Sequence, residues 1–376
     1  MKNTCRICGS LDEHPLFHPK EAKVGTWESY EYFQCKSCST LQITSIPEDL
    51  STYYSNYYSG DPVASPRPLK QRLKILRDRY EAFGHGAIGC LLSILVSRNA
   101  VLRPLSCLHL SASTRILDVG CGAGGLLRDL QAAGFNHLLG VDPFIKQDLY
   151  FPPGLTIRKC TLEEVNSPWD LVVINHVFEH LPEPRSILSA VSKLLTPGGH
   201  CLVRIPTVSS YAWRKYRTNW CQLDAPRHLY LYSLGSITRL AAEFGFVPVR
   251  TVFDSREFQF YGSDRIKRGV PLTEKSDGSD RWFLVSRWQR LKASYLNARH
   301  RGDSVAILFG RREGSRVGAM GDGTHSRIDA GACIPDPTLP PDGRDLAVSM
   351  FSSGFEAHGT CGWRAAAETR PEASCS

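Results

Sequence analysis

Long apolar runs are missing from this sequence of 376 residues. A membrane-spanning helix needs about 20 consecutive apolar residues, and the most apolar stretch, residues 87–96, is much shorter and contains Gly89 and Ser93. We interpret this stretch as a buried helix, with a peripheral membrane contact as the alternative. The first residues, MKNT, lack the apolar core of a secretory signal peptide. We therefore expect a cytoplasmic protein with no transmembrane segment.

The cysteine pattern argues against a disulfide framework. Cysteines number thirteen, an odd count, and most of them are isolated, which is typical of free thiols in a reducing compartment. Four of them form two CxxC pairs: Cys5 with Cys8, and Cys35 with Cys38. Two such pairs can supply four thiolates to a tetrahedral, structural Zn²⁺ site. The segment between the pairs, residues 9–34, is longer than in common zinc ribbons, so a long loop is expected there.

The composition is that of a globular protein, with 42% hydrophobic and 22% charged residues. The formal net charge of +8 is spread along the chain. It fits an acidic or phosphorylated small-molecule partner, or simply a basic solvated surface, and gives no clear indication of nucleic acid. The length allows one large α/β domain and a small accessory module.

The chain divides into four segments. Residues 1–45 form the four-cysteine module, and residues 46–112 form a Tyr-rich link and a helical connector. In residues 113–312, short apolar strands alternate with helical patterns, which predicts a Rossmann-like, doubly wound α/β fold with a mostly parallel, seven-stranded sheet. Residues 313–376 are rich in Gly, Pro, Ser and Ala without periodicity, and we expect disorder there.

A glycine-rich turn, GCGAGG at residues 120–125, follows the first predicted strand of this domain. It can be read as GxGxG or as the dinucleotide motif GxGxxG, so the glycines alone leave open which nucleotide is bound. Asp142, after the next strand, can hydrogen-bond ribose hydroxyls in either case. Asp118 favours a cationic sulfonium ligand, because a carboxylate before the turn disfavours a pyrophosphate.

The sequence ILDVGCGAG (residues 116–124) resembles the first motif of class I S-adenosylmethionine-dependent methyltransferases. VD (141–142) is similar to their second motif, WDLVVINHVFEHL (169–181) to their fourth-strand motif, and LTPGG (195–199) to the turn before their fifth strand. Together these motifs cover residue 113 to about residue 310, in the family's order.

This resemblance implies S-adenosylmethionine as the cofactor. The glycines would face its methionine part, Asp142 its ribose, and the residues after the third strand its adenine. Asn175 and His176 would border the methionine end and the substrate. The implied cofactor-binding residues are Asp118, Gly120, Cys121, Gly122, Gly124, Asp142, Pro143, Thr161, Leu162, Asn175 and His176.

Three residues near the ends of the fourth and fifth strands are candidate catalytic groups. A neutral imidazole is suited to take a proton from an acceptor near pH 7. His228 is the favoured base, and the alternative is that it only fixes its loop by a hydrogen bond. His180 and Glu179 are either catalytic or order the turn on the cofactor side.

A four-cysteine module, a Tyr-rich segment and this domain together resemble a subgroup that includes sugar C-methyltransferases and enzymes acting on surface glycans. Residues 224–229, DAPRHL, resemble the D-x-P-R-H-L loop of that subgroup. The resemblance implies a structural zinc module that helps cover a nucleotide-linked or glycan sugar. The alternatives are an RNA or protein methyltransferase and an inactive zinc-stabilised binding protein.

A basic and aromatic segment after the fifth strand fits a phosphorylated acceptor, since arginine binds phosphate oxygens in a bidentate manner. The same mixture could bind RNA, and an amphipathic surface helix would show it without any ligand. The basic residues are Arg204, Arg214, Lys215, Arg217 and Arg227.

Overall fold

The computed structural model describes residues 3–49, 68–95, 99–274 and 282–312. The predicted Tyr-rich link and the predicted disordered tail, residues 313–376, lie outside this part of the chain. The strands are β1 (Asn3–Thr4), β2 (Leu11–Asp12), β3 (Leu16–Phe17), β4 (Tyr32–Gln34), β5 (Leu41–Ile43), β6 (Arg115–Val119), β7 (His137–Val141), β8 (Leu149–Phe151), β9 (Leu155–Arg158), β10 (Trp169–Asn175), β11 (Leu195–Pro206), β12 (Tyr230–Leu231), β13 (Phe246–Phe253) and β14 (Ser304–Arg311).

Nine helices are described: α1 (Pro68–Phe83), α2 (Ala87–Leu95), α3 (Leu102–Leu105), α4 (Gly125–Ala133), α5 (Pro184–Leu194), α6 (Tyr211–Tyr216), α7 (Leu234–Ala242), α8 (Phe258–Lys267) and α9 (Trp282–Ala298). Short 3₁₀ turns cover Leu162–Glu164, Phe178–His180 and Arg217–Asn219.

The large sheet has the strand order β13-β14-β11-β10-β6-β7-β9-β8. Its centre, from β11 to β9, is parallel, whereas β14 runs antiparallel to both its neighbours. The predicted mostly parallel α/β fold is therefore confirmed. The predicted strand count was wrong, because β8 adds an eighth strand antiparallel to β9. It is only three residues long and carries no alternating pattern that would reveal it.

Both faces of this sheet are buried. On β10, Leu171 and Val173 belong to one hydrophobic cluster, while Val172 and Ile174 belong to the other. Successive strand residues point to opposite faces, so two separate cores enclose the sheet. Helix α4 packs with the first cluster and α5 with the second. This doubly covered arrangement leaves the carboxyl edge of the parallel strands as the place for a ligand.

The N-terminal segment forms two small sheets. Strands β1 and β2 pair with each other, and a second sheet has the order β12-β5-β4-β3. Strand β12 comes from far along the chain and pairs antiparallel with β5, with Tyr230 opposite Gln42. The four-cysteine segment therefore shares a sheet with the larger part of the chain.

The interpretation of residues 87–96 as a buried helix was wrong. Helix α2 packs closely on α1 only through its small residues; a Cβ on Gly89 would lie 2.5 Å from the backbone oxygen of Leu76. The large side chains of Ile88, Leu91 and Ile94 are 61%, 57% and 70% exposed. Within the described residues, no helix has a long enough apolar stretch to span a membrane.

Candidate active site and cysteine cluster

The glycine turn connects β6 to α4. Gly120, Gly122 and Gly124 have φ angles of 70°, 54° and 73°, in the left-handed region that glycine adopts without strain. The backbone N–H of Gly120 donates to the carbonyl of Val141, at 2.8 Å, which ties the turn to the end of β7. A Cβ on Gly124 would lie 2.0 Å from Cδ1 of Ile157. The sequence therefore needs glycine here for backbone shape and for close packing.

Asp142 holds the turn in place from the end of β7. Its Oδ2 accepts a hydrogen bond from the N–H of Gly122 at 2.9 Å, and its Oδ1 accepts one from the N–H of Phe144 at 2.8 Å. Asp142 thus lies beside the glycine turn, as predicted for a ribose-binding residue. Its support of the turn was not foreseen from the sequence.

Asp118 is a buried carboxylate with no counter-charge. It is 3% exposed, and no described group donates a hydrogen bond to its side chain. Burial, together with the nearby Asp142 carboxylate, raises the pKa of Asp118 to about 8. A cationic ligand group would remove this penalty, because an opposite charge favours the ionised form.

The other predicted cofactor residues lie where parallel strands end. Cys121 and Pro143 follow β6 and β7, and Thr161 and Leu162 follow β9. Thr161 caps the short 3₁₀ turn after β9, where its N–H donates to Oε1 of Glu164 at 2.9 Å. The carboxyl ends of adjacent parallel strands share one edge of a sheet, so the structure brings these residues to the same edge.

Asn175 and His176 end β10 and are held by Arg204 on the neighbouring strand. Arg204 Nη1 donates to Asn175 Oδ1 at 3.2 Å and contacts Nε2 of His176. Its Nε donates to Asp254 Oδ2 at 2.5 Å, forming a buried ion pair. Arg204 therefore fixes Asn175 and His176 at the end of β10 instead of offering a free guanidinium to phosphate.

Glu179 lies at the centre of three histidines. Its side chain is fully buried; Oε1 lies 3.3 Å from Nδ1 of His176 and 3.9 Å from Nε2 of His228. Oε2 has no hydrogen-bond partner among the described residues. Burial alone would raise its pKa, but His176, His180 and His228 together lower the pKa of Glu179 to about 2. The site therefore contains an ionised, buried carboxylate.

His180 and His228 face each other edge to face, with ring centroids 4.6 Å apart. Nδ1 of His180 lies 2.9 Å from the carbonyl of Arg227, and Nδ1 of His228 lies 2.7 Å from the carbonyl of Gln222. A carbonyl oxygen only accepts hydrogen bonds, so Nδ1 carries the proton in both rings, and in a neutral ring the lone pair is on Nε2. Burial and the nearby His180 lower the pKa of His228 to about 4. His228 is therefore neutral at pH 7.

The loop that carries His228 is fixed by buried charges. Arg227 is 2% exposed and forms an ion pair with Asp224. Asp224 Oδ2 also lies 3.7 Å from Nζ of Lys23 and 3.7 Å from Nε2 of His228. Sequence reasoning missed Lys23, which comes from the four-cysteine segment, because no local pattern connects it to this loop.

Most of the predicted basic residues on and after β11 contact other groups of the chain. Arg204 and Arg227 are engaged in internal ion pairs. Lys215 and Arg217 lie over the rings of Tyr216 and Trp213. Four of the five basic side chains predicted to bind phosphate are thus engaged in contacts within the chain.

The four cysteines of the CxxC pairs form one cluster, with all four sulfurs within 4.8 Å of one another. Sγ of Cys5 lies 3.7 Å from Sγ of Cys38, and Sγ of Cys8 lies 3.5 Å from Sγ of Cys35. A tetrahedral Zn²⁺ with Zn–S bonds of about 2.3 Å places its sulfurs about 3.8 Å apart. The donor set and its spacing therefore fit Zn²⁺.

This cluster is attached directly to the loop that carries His228. Tyr32 Oη donates to the carbonyl of His228 at 2.9 Å, and Ser233 Oγ donates to the carbonyl of Cys38 at 2.7 Å. Arg6 Nε donates to Oη of Tyr230 at 3.0 Å. The N-terminal segment is thus one wall of the candidate site.

Comparison with known proteins agrees with this geometry. Residues 95–251 match the family described as a methyltransferase domain. That span contains the glycine turn, Asp118, Asp142 and the three histidines around Glu179.

Two curated relatives of this methyltransferase domain are named ubiquinone biosynthesis O-methyltransferase. The protein from Marinobacter nauticus is 35% identical over 105 residues, covering 24% of this chain and 44% of the relative. The protein from Aeromonas salmonicida is 34% identical over 100 residues, covering 24% and 42%. The chain thus spans less than half the length of these relatives.

Among solved structures, an S-adenosylmethionine-dependent methyltransferase from Mesorhizobium loti is 16% identical, with a TM-score of 0.38, covering 57% of this chain and 98% of that one. A complex of the Haloferax volcanii Trm112 methyltransferase activator with a methyltransferase shows 12% identity and a TM-score of 0.40, covering 71% and 100%. This level of similarity gives no information on substrate.

Proposed function

We propose that the protein is an S-adenosylmethionine-dependent methyltransferase acting on a small-molecule acceptor, a nucleotide-linked or glycan sugar. The buried Asp118 carboxylate carries the cofactor proposal, because it lies beside a glycine turn, has no counter-charge and has a raised pKa. S-adenosylmethionine has a sulfonium and an ammonium group, and either positive charge would stabilise the ionised carboxylate.

The chain's own residues would bind and position the cofactor at the carboxyl edge of the sheet. When bound, S-adenosylmethionine supplies an electrophilic methyl group. The glycine turn and Asp142 would hold its methionine and ribose ends, and Thr161 and Leu162 would border its base. Asn175 and His176, fixed by Arg204, would separate cofactor from acceptor. This alignment of reacting groups would provide much of the rate enhancement.

Glu179, His180 and His228 are the proposed catalytic set on the acceptor side. Backbone carbonyls fix the tautomers of the two histidine rings, and Nε2 is then the basic atom of each neutral ring. Lone pairs arranged in this way can take the acceptor's proton directly, as predicted for His228, or hold a cation that lowers the acceptor's pKa.

A basic cleft supports an anionic acceptor. Lys20, Lys23, Thr218 and Trp220 are among the residues that line this narrow cleft. Asp224 also lines the cleft and lies 3.7 Å from Nε2 of His228, so the cleft adjoins the catalytic set. The ammonium groups of Lys20 and Lys23 suit the phosphate oxygens of a nucleotide-linked sugar.

We further propose that Zn²⁺ bound by Cys5, Cys8, Cys35 and Cys38 is structural. In this proposal residues 1–45 are not an independent module, because β12 and Tyr32 join them to the catalytic loop. The proposed organisation is this segment, a connector at residues 46–112, and the methyltransferase domain at 113–312. None of the ten cysteines in the described ranges forms a disulfide, which supports a reducing, cytoplasmic location.

Calorimetric titration with S-adenosylmethionine and, separately, with NAD tests the cofactor. Binding of the first alone is expected, and binding of NAD alone or of neither would overturn the proposal. Consumption of S-adenosylmethionine with a panel of nucleotide-linked sugars tests the acceptor. Lys20→Ala is expected to raise KM for the sugar about tenfold without changing cofactor affinity. Lys36→Ala, which changes an exposed lysine outside the cleft, is the matched control.

A further inference from the structure

Glu179, His180 and His228 form a compact group of potential metal ligands, here called the Glu-His-His cluster. One ligand atom from each residue lies within 4.8 Å of those of the other two. Glu179 and His228 are buried and His180 is half-buried. The cluster is separate from the four cysteines and has a different donor chemistry.

Both imidazoles are oriented as metal-binding histidines are. The Nδ1–H of His180 donates to the carbonyl of Arg227, and the Nδ1–H of His228 donates to the carbonyl of Gln222. A metal-ligating histidine commonly donates its second ring N–H to a carbonyl or carboxylate, which fixes the ring and its tautomer. Here backbone atoms provide that fixation for both rings.

The two oxygens of the Glu179 carboxylate have different surroundings. Oε1 of Glu179 lies 3.3 Å from Nδ1 of His176, which can orient it, whereas Oε2 is buried and has no hydrogen-bond partner in the described chain. An unpartnered buried carboxylate oxygen is costly. Asp224, the other nearby carboxylate, already contacts Arg227 and Lys23. Glu179 is therefore the oxygen ligand that the site offers.

We propose that the Glu-His-His cluster binds a catalytic divalent first-row transition metal ion that activates a hydroxyl group of the acceptor. Two imidazoles and one carboxylate are a donor set for such ions and leave coordination positions open for substrate. Single-base catalysis by His228 would leave the buried Glu179 carboxylate, whose Oε1 lies 3.9 Å from Nε2 of His228, without a cation, whereas a metal ion bound by the three groups would supply one.

This inference rests on the proposed methyl transfer and specifies its chemistry. The ion would lower the pKa of the acceptor hydroxyl, which loses its proton to solvent. The acceptor oxygen then forms a bond to the methyl carbon as the carbon–sulfur bond breaks. The electron pair of that bond stays on sulfur, so the products are a methyl ether, S-adenosylhomocysteine and one proton.

Metal content of the full-length protein tests the inference. After chelation and reconstitution with Co²⁺, we expect about two ions per chain, one at the cysteines and one at the Glu-His-His cluster. The ion at the cysteines gives the near-ultraviolet absorption of thiolate-to-cobalt charge transfer. The ion at the Glu-His-His cluster adds visible d–d absorption but no thiolate band. His228→Asn and Glu179→Gln should each lose the second ion and keep the thiolate band, which also reports that the N-terminal segment remains folded.

Two controls make the result specific. His200→Asn changes a half-buried histidine on β11 outside the cluster and should retain both ions. Cys8→Ser should lose the thiolate band. One ion per chain in the wild type, or a second ion that survives both His228→Asn and Glu179→Gln, would overturn the inference. Failure of the proposed function is a separate result, namely absence of S-adenosylmethionine binding in the calorimetric titration.

Discussion

Tyr32 Oη donates a hydrogen bond to the backbone carbonyl of His228, at a distance of 2.9 Å. Tyr32 is fully buried on β4 of the four-cysteine segment, and His228 belongs to the proposed catalytic set. A residue near the N-terminus thus positions the backbone of a loop far away in the sequence. The cysteine segment therefore contributes to the shape of the site as well as to its cover.

Tyr32→Phe removes this hydrogen bond and leaves the ring in place. A buried carbonyl that loses its donor should lower the free energy of unfolding by about 1–2 kcal/mol. Urea denaturation of the two proteins measures this difference. Tyr30→Phe is the matched control, because Tyr30 Oη donates to Oε2 of exposed Glu28, and a change below about 0.5 kcal/mol is expected. Equal decreases in the free energy of unfolding of Tyr32→Phe and Tyr30→Phe would contradict a stabilising hydrogen bond from Tyr32.

Local sequence patterns predict the central part of this fold well. The strand and helix between Arg115 and Ala133 follow from apolar patterns in the sequence. The turn between them follows from three glycines, which can adopt the left-handed backbone found there. The position of Asp142 follows from the next strand. Parallel strands share one carboxyl edge, so this edge could be identified as the candidate site without the structure.

Contacts between distant segments could not be predicted in the same way. The pairing of β12 with β5 involves two residues of β12, too few for any periodicity. The contact between Lys23 and Asp224 depends on that pairing. For helix α2 the sequence predicted a burial that does not occur. Its apolar composition indicated a buried helix, but only Gly89 and Ser93 are buried. Composition does not say which partner, if any, covers an apolar face.

Removal of the proposed Zn²⁺ from the cysteine cluster should loosen the loop at residues 224–233. Cys8→Ser removes one ligand, and the free energy of unfolding is expected to fall by at least about 3 kcal/mol. Because β12 pairs with β5 and Ser233 donates to Cys38, hydrogen exchange should increase in residues 224–233 as well as at the cysteines. Cys107→Ser, at an exposed cysteine, should leave zinc content and exchange unchanged. Unchanged exchange at residues 224–233 in Cys8→Ser would argue for an independent module.

Two adjacent glycines should respond differently to the same substitution. Gly124 has a φ of 73°, and a Cβ there would lie 2.0 Å from Cδ1 of Ile157, so Gly124→Ala should cost about 2 kcal/mol and abolish cofactor binding. Gly125 begins α4, and a Cβ there would meet nothing within 4 Å. Gly125→Ala should therefore be neutral or stabilising by up to about 1 kcal/mol. Thermal unfolding and calorimetry of both variants check this, and similar effects at the two positions would be inconsistent with the turn geometry.

Asp118 should make cofactor affinity depend on pH. Its pKa of about 8 means that the carboxyl group is protonated at lower pH in the free protein, while a cationic ligand favours the ionised form. Binding must then release a proton, so affinity should fall as pH decreases from 7.5 to 6, by up to about tenfold per pH unit. Calorimetry in buffers of different ionisation enthalpy measures both the affinity and the proton released.

Asp118→Asn should bind more weakly and without this pH dependence, whereas Asp148→Asn, at an exposed carboxylate, should keep the wild-type profile. A wild-type affinity that is flat across this range would show that the cofactor's positive charge does not approach Asp118.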